Sequence, residues 1–174
     1  GARFGYLAQG FYNENDFDAD GNVRGDLPQP QGKKYPGDIK FADLNGDNII
    51  DNDDQTKIGN PKRPAYTFGL NLGGEYKGFF ASMNWTGVAQ CDIEMANAYK
   101  RPFYEGQVLY QYMADGRWTP ETAATAVYPR LSISSSTNQE TSSVWLKDAS
   151  YIKLKNLTIG YNITQQKILK AIGA

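Results

Sequence analysis

Hydrophobic and polar residues alternate with a period of two in three stretches of the chain. From residue 66 onward one phase holds large apolar residues and the other holds small or polar ones, as in a strand with two different faces. The alternation resumes after Lys77-Gly78, which predicts a β-hairpin over residues 65–89 with a two-residue turn. The apolar phase comprises Tyr66, Phe68, Leu70, Leu72 and Tyr76, then Phe79, Ala81, Met83 and Trp85.

A third strand is predicted over residues 144–163. Ile152 and Leu154 share one phase, but the apolar residues that follow occupy the opposite phase. A single slip of this kind, here near Asn156, is typical of a β-bulge. Residues 164–172 form a short amphipathic stretch with room for one or two helical turns.

Two long stretches lack this alternation. Residues 1–64 are rich in Gly, Pro, Asn and Asp, which predicts an ordered loop region. Residues 90–143 have no strand pattern, although 96–114 has room for a short helix. A connection of this length is uncommon in a compact domain, so it indicates a functional loop.

The strands favour an all-β fold in which antiparallel strands form part of a transmembrane β-barrel. Strands of 11 or more residues exceed the usual five or six, and crossing a membrane takes about 9–11. Such barrels have short periplasmic turns and long extracellular loops, which makes 1–64 and 90–143 extracellular and 164–174 periplasmic. The alternative is a soluble β-sandwich with one solvated face, because alternation alone fits both.

Composition excludes several kinds of chemistry. The chain of 174 residues contains no His and one Cys, so it has no His-based catalysis, no His-ligated metal and no internal disulfide. A net charge of -1 gives no broad positive field for nucleic acid. The chain opens at Gly1 without Met, and both ends are expected to be cuts within a longer protein.

Residues 43–54 match the twelve-residue calcium loop of EF-hand and dockerin type. Oxygen donors occur at positions 1, 3, 5, 9 and 12, and the residue at position 7 would offer its backbone carbonyl. Hard oxygen ligands at this spacing suit Ca²⁺. The alternative is a solvated Asp/Asn turn that holds no metal. The predicted ligands are Asp43, Asn45, Asp47, Ile49, Asp51 and Asp54.

Two positions depart from the calcium-loop pattern. Asn48 stands where Gly is usual, but Asn tolerates the left-handed backbone that this position needs. Asp54 stands where Glu is usual, and its shorter side chain weakens the site. The predicted role of Ca²⁺ is structural, since it would neutralise crowded carboxylates and fix an external loop.

Five runs of sequence resemble the SusC/RagA family of TonB-dependent transporters. Their order and spacing match the C-terminal third of the family's barrel, and the last run is the longest. The runs are PGDIKFADLNGD at 36–47, IGNP at 58–61, YTFG at 66–69, YPRL at 128–131 and SVWLKDASYIKLKNLTIGY at 143–161.

The resemblance implies a setting that the composition alone does not. Members form a barrel of about 22 strands with an N-terminal plug in the bacterial outer membrane. They import oligosaccharides or peptides together with a SusD-like surface lipoprotein, and TonB supplies the energy. The expected partners are therefore this lipoprotein, TonB, the cargo and outer-membrane lipid.

Aromatic residues of the 90–143 loop are candidates for contact with cargo, because aromatic rings stack on sugars. The residues predicted to bind ligand are Tyr99, Tyr104, Tyr110 and Trp118, and Phe103 and Tyr112 are further candidates. Packing within the loop is the alternative role for these side chains.

Two other functions compete with transport. A secreted, soluble, calcium-dependent carbohydrate-binding β-sandwich would explain the acidic loop and the aromatic residues, but not the long strands. A glycoside hydrolase fragment is disfavoured, because no acidic residue lies in a recognisable catalytic motif. The protein is therefore not expected to be an enzyme.

Overall fold

A computed structural model describes residues 2–106, 108–133 and 137–163, and the chain divides into two units. The first unit comprises residues 1–60 and 92–147, and the second comprises 61–91 and 148–174. The predicted periplasmic segment 164–174, with its amphipathic stretch at 164–172, lies outside the described residues.

Short strands dominate the first unit and long strands the second. The single α-helix of the described residues, α1, is Gln111–Gly116. The strands are β1 (Phe4–Tyr6), β2 (Ala8–Phe11), β3 (Gln29–Pro30), β4 (Ile39–Phe41), β5 (Ile49–Ile50), β6 (Gln55–Lys57), β7 (Tyr66–Tyr76), β8 (Phe79–Ala89), β9 (Asp92–Glu94), β10 (Leu146–Asp148) and β11 (Tyr151–Tyr161).

The second unit is an antiparallel sheet in the order β11-β8-β7. β7 and β8 pair along all eleven residues, from Tyr66 opposite Ala89 to Tyr76 opposite Phe79. Lys77 and Gly78 join them with φ angles of 51° and 87°. Two successive positive φ angles define the type I′ turn, whose twist matches that of the flanking strands.

A β-bulge in β11 corrects the slip in its hydrophobic pattern. Leu154 lies opposite Trp85 and Asn156 lies opposite Asn84, so Lys155 is the extra residue. Leu157 then lies opposite Met83. Because Trp85 and Met83 are two residues apart on β8, the bulge brings both halves of β11 onto one apolar face.

Aromatic rings cover two glycines of this sheet. The ring of Phe68 lies where a side chain at Gly87 would be, on the apolar face. On the opposite face, the ring of Phe80 occupies the corresponding space at Gly160. This cross-strand covering explains why a large apolar residue, Phe80, stands in the otherwise small and polar phase.

The core of the first unit surrounds Trp145, whose side chain is completely buried. Ile39, Phe41 and Ile50 complete the buried cluster. The Trp145 indole Nε1 donates a hydrogen bond of 2.9 Å to the backbone carbonyl of Asn138. The core therefore combines residues from both chain segments of the unit, 1–60 and 92–147.

Several boundaries differ from those predicted. The strand expected over 144–163 is shorter, because Ser143–Trp145 forms a 3-10 turn that directs Trp145 into the core of the first unit. The loop region expected over 1–64 contains six short strands, β1 to β6. The short helix expected within 96–114 is α1, which begins at Gln111 and extends two residues past 114.

The all-β fold class is confirmed, since strands predominate and helix is almost absent from the described residues. Within those residues, every helix is too short to cross a membrane.

Candidate functional site

The acidic loop over residues 43–54 has a backbone of the kind that a calcium loop requires. Asn48, at position 6, adopts a left-handed φ of 65°, as the usual Gly would. Ile50, at position 8, is buried in the core of the first unit. Its strand, β5, pairs in parallel with β3, which ties the second half of the loop to the core.

The carboxylates of this loop accept hydrogen bonds from its own backbone. Asp43 accepts from the N–H groups of Gly46 at 2.6 Å and Asn48 at 2.9 Å. Asp47 accepts from the N–H of Ile49 at 2.8 Å. Each of these side chains thereby stabilises a turn, and its carboxylate is held close to the backbone of the loop.

Asp54 holds the two ends of the acidic loop together. Its carboxylate is buried and accepts from the N–H groups of Leu44 at 2.7 Å and Asp51 at 2.9 Å. Burial acts to raise the pKa of Asp54, but backbone hydrogen bonds from Leu44, Asp51 and Asn45 together lower it below its ordinary value. Asp54 is therefore a stable anion within the loop.

The donor chemistry of the loop suits Ca²⁺, but its carboxylates are not gathered around one point. In residues 2–106, 108–133 and 137–163, no three His, Cys, Asp or Glu side chains lie close enough to hold a metal ion. The predicted ligands Asp43, Asn45, Asp47, Ile49, Asp51 and Asp54 lie on one continuous loop, where most of the side-chain oxygens serve as turn acceptors. Calcium binding stays a prediction.

Aromatic rings of the 90–143 loop form a continuous stack. Tyr99 stacks on Tyr110 with ring centroids 5.3 Å apart, and Tyr110 stacks on Tyr112 at 5.7 Å. The hydroxyl of Tyr112 donates to the carbonyl of Tyr99 at 2.8 Å. Tyr99 is 54% exposed, so the stack presents an accessible ring at this end.

The other end of the stack reaches the core of the first unit. The ring centroids of Tyr112 and Tyr128 lie 5.3 Å apart, and those of Tyr128 and the buried Trp145, which stack, lie 5.9 Å apart. Two of the predicted ligand-binding residues, Tyr99 and Tyr110, therefore belong to one rigid array.

The other two predicted ligand-binding residues lie apart from this stack. The Tyr104 ring lies 5.4 Å from the guanidinium of Arg101, and a side-chain hydrogen bond with Glu105 raises the pKa of Tyr104. Trp118 is only 6% exposed, and its indole packs against Gly37. Its position suits a packing role rather than direct contact with a ligand.

A buried polar network is the feature that sequence patterns did not indicate. Asp38 is 1% exposed and accepts from Arg130 Nε at 2.6 Å and from Asn138 Nδ2 at 2.9 Å. Asn138 in turn accepts from the backbone N–H of Ile39 at 2.9 Å. The network joins residues 38–39 to residues 130 and 138, so it fixes the two loop regions to each other.

The sheet of the second unit exposes its apolar face. Leu70, Leu72, Leu154, Leu157 and Ile159 form an exposed aliphatic band. Aromatic residues stand at both ends of this band. They are Tyr66 and Phe68 at one end, and Tyr76, Phe79 and Tyr161 at the other.

The opposite face of this sheet is small and polar. Asn71, Asn84 and Asn156 lie side by side across the three strands, and the Asn84 amide donates to the Asn71 side-chain oxygen. The next row holds Ser82 and Thr158. A sheet with one aliphatic face rimmed by aromatics and one polar face is typical of a membrane barrel wall.

Comparison with known proteins agrees with this assignment. The chain is 30% identical over 132 residues, 76% of its length, to the protein named TonB-dependent receptor P26 of Formosa agariphila. It is 30% identical over 165 residues, 95% of its length, to TonB-dependent receptor P3 of the same bacterium. The chain is similar to part of a TonB-dependent receptor. The matched regions span only 13% and 15% of these receptors. No protein-family model matches the chain.

TonB-dependent receptors are outer-membrane proteins, and this similarity confirms the predicted location in the bacterial outer membrane. They are also not enzymes, which confirms the prediction of a non-enzymatic protein.

Proposed function

We propose that this chain forms part of the barrel wall and outer loops of a TonB-dependent outer-membrane transporter. The observation that carries the proposal is the exposed apolar face of the β11-β8-β7 sheet, which the Lys155 bulge keeps continuous. In a soluble protein an uncovered face of this size would cost stability, whereas lipid covers it in a membrane.

The height of the apolar face fits a bilayer. Tyr66 and Tyr76 stand ten residues apart on β7, which corresponds to about 33 Å along the strand at about 3.3 Å per residue. At the usual tilt of about 40°, this length spans about 25 Å, which is the height of the apolar band of outer-membrane barrels. The aromatic residues at both ends would then lie at the two membrane interfaces.

Adjacent residues of β7 test this orientation in the intact protein. With Cys91 replaced by Ser, nitroxide spin labels would be attached at Leu72→Cys or, as the matched control, at Asn71→Cys. We expect oxygen to relax the label at 72 more strongly, and a water-soluble nickel complex to relax the label at 71 more strongly. Strong relaxation of both labels by the nickel complex would contradict a membrane wall and favour the soluble carbohydrate-binding sandwich.

We further propose that the cargo is an oligosaccharide or a peptide, received together with a SusD-like surface lipoprotein and imported with energy from TonB. The stack of Tyr99, Tyr110 and Tyr112 supports a role in cargo contact, because an accessible ring anchored to a buried core loses little entropy on binding. Tyr99→Ala should reduce cargo affinity, whereas Tyr76→Ala, at the rim of the apolar face, should not. Equal affinities of Tyr99→Ala and the wild type would exclude the stack from cargo binding.

We also propose a structural calcium ion in the 43–54 loop. The left-handed Asn48, the buried Ile50 and the oxygen donor set support it. Bound calcium would require at least some of the carboxylates to exchange a backbone N–H partner for the ion. Its role would be to hold an extracellular loop rigid, with no part in transport chemistry.

A further inference from the structure

A cavity of about 160 Å³ lies within the first unit, and the proposed function assigns it no role. Its volume accommodates about five water molecules at about 30 Å³ each, which is the size of a small organic molecule. The apolar part of its wall is formed by Tyr6, Tyr12, Pro30, Ile39, Phe41 and Ile50. Tyr6 and Phe41 stack at 4.7 Å, so this side of the cavity is rigid.

A buried ammonium group lies in the polar part of the wall. Lys34 is 5% exposed, and its Nζ donates to the carbonyl of Gln31 and to the hydroxyl of Thr137, both at 2.6 Å. Gln31 and Thr137 also line the cavity, which places the ammonium at its surface. An ammonium has three N–H groups, and within the part of the chain that the structure describes it donates to these two neutral acceptors only, which leaves one N–H for a ligand.

Burial makes this ammonium costly without an anionic partner. Burial lowers the pKa of Lys34 from its ordinary value, and the nearby charges of Asp38 and Glu140 only partly oppose that effect. A carboxylate delivered by a ligand would satisfy both the free donor and the charge.

A carboxylate of the protein also lines the cavity. Glu140 is exposed, unlike Lys34, and it stands where it would repel a simple anion but attract a cationic group. The lining thus offers a buried positive charge, an exposed negative charge and an apolar wall.

We propose that this cavity binds a small zwitterion of the α-amino acid type. Lys34 receives the ligand's carboxylate, Glu140 faces its ammonium, and its apolar side chain packs against the aromatic and aliphatic wall. This binding site goes beyond the transport role and does not depend on it.

The test uses the intact protein in detergent and calorimetric titration with three compounds that share an isobutyl framework. L-valine carries both charges, isovalerate lacks the ammonium, and isobutylamine lacks the carboxylate. We expect saturable binding of L-valine, with affinity at least tenfold higher than for either singly charged compound. Absence of L-valine binding, or preferential binding of isovalerate or isobutylamine, would overturn the proposal.

Matched variants test which side chain recognises each charge of the ligand. Lys34→Met should weaken L-valine binding at least tenfold and abolish the preference for L-valine over isobutylamine. Glu140→Gln should have a smaller effect, because its carboxylate is exposed, and should reduce the preference over isovalerate. Lys33→Met is the control, because Lys33 adjoins Lys34 in sequence but does not line the cavity.

Ratios of affinity between L-valine and the singly charged compounds stay informative even where a variant loses some stability, because unfolding lowers the apparent binding of all three compounds alike. Selectivities of Lys34→Met and Glu140→Gln that equal those of the wild type would overturn the proposed orientation of the ligand. If the intact wild-type protein binds L-valine but takes up no cargo, that result would count against the transport role and not against the L-valine site.

Discussion

Arg130 and Asp38 form an ion pair in which Nε lies 2.6 Å from Oδ1, although 92 residues of sequence separate them. The Asp38 carboxylate is buried and also receives the backbone N–H of Tyr35 at 3.0 Å. The Arg130 guanidinium lies over the Tyr35 ring at 4.8 Å. One carboxylate therefore fixes a tight turn and anchors a distant loop.

Removal of this ion pair should loosen both loop regions. Arg130→Met would leave Asp38 buried without its charged partner, which costs about 3 kcal/mol. We expect the amides of Tyr35 and Ile39 to lose roughly 100-fold in protection, measured by hydrogen exchange in the intact protein. Arg24→Met is the control, since it breaks the exposed ion pair with Asp26. Equal protection in both variants would show that Asp38 does not organise the loops.

The bulge in β11 predicts an asymmetry between two single deletions. Deletion of Lys155 leaves the partners of Leu154 and Leu157 unchanged, so folding into the outer membrane should persist. Deletion of Thr158 shifts Ile159 and Tyr161 by one position and turns both toward the polar face, so the folded protein should be lost. The readout is the outer-membrane band whose gel mobility changes on boiling. Equal behaviour of the two deletions would contradict the register described above.

Calcium should bind the 43–54 loop with a dissociation constant of about 10⁻⁴–10⁻³ M, the range of extracellular modules. Asp47→Asn should weaken binding at least tenfold, because it removes a charge while its amide oxygen still accepts the Ile49 N–H. The control is Asp18→Asn, which changes a similar turn where Asp18 accepts from Asp20 and Asn22. Unchanged calorimetric binding in Asp47→Asn, or none in the wild type, would leave the loop a metal-free turn.

Two tyrosines should ionise at unusually high pH. Burial first, then Asp16 and Asp38, raises the pKa of Tyr12 to about 12, and burial with neighbouring tyrosines raises that of Tyr112 to about 12. An unfolded tyrosine ionises near about pH 10. Each protonated phenol therefore contributes stability that is full below about pH 10 and is lost as pH rises through 12.

Ultraviolet titration of the intact protein measures these ionisations. Tyr12→Phe and Tyr112→Phe should each remove the absorbance change of one tyrosine centred near pH 12. A difference curve centred near pH 10 for either variant would show that the corresponding phenol is not held protonated by the fold.

The sequence was most informative where neighbouring residues determine structure. Alternation predicted β7 and β8, the Lys77-Gly78 pair predicted their turn, and the phase slip near Asn156 indicated the bulge. These features follow from side-chain direction and backbone sterics over a few residues. The single φ of Asn48 was predictable for the same reason.

Features that join distant residues were not predictable. Nothing in local pattern links Asp38 to Arg130 and Asn138, or Lys34 to Thr137 and Glu140. Trp145 follows the same rule, because a strand pattern over 144–163 gives no sign that the first unit takes this side chain into its core. Contacts of this kind depend on tertiary packing, which overrides local preference.

The Asp38 network has a consequence for the order in which the protein folds. The Asp38 carboxylate accepts hydrogen bonds from Arg130 and Asn138, which lie 92 and 100 positions farther along the chain. Residues 35–41 therefore cannot reach their native contacts until residues 130 and 138 pack against them, and closing so long a loop is entropically slow. The two loop regions of the first unit are thus expected to fold late, after the hairpin of β7 and β8, whose strands pair through a two-residue turn.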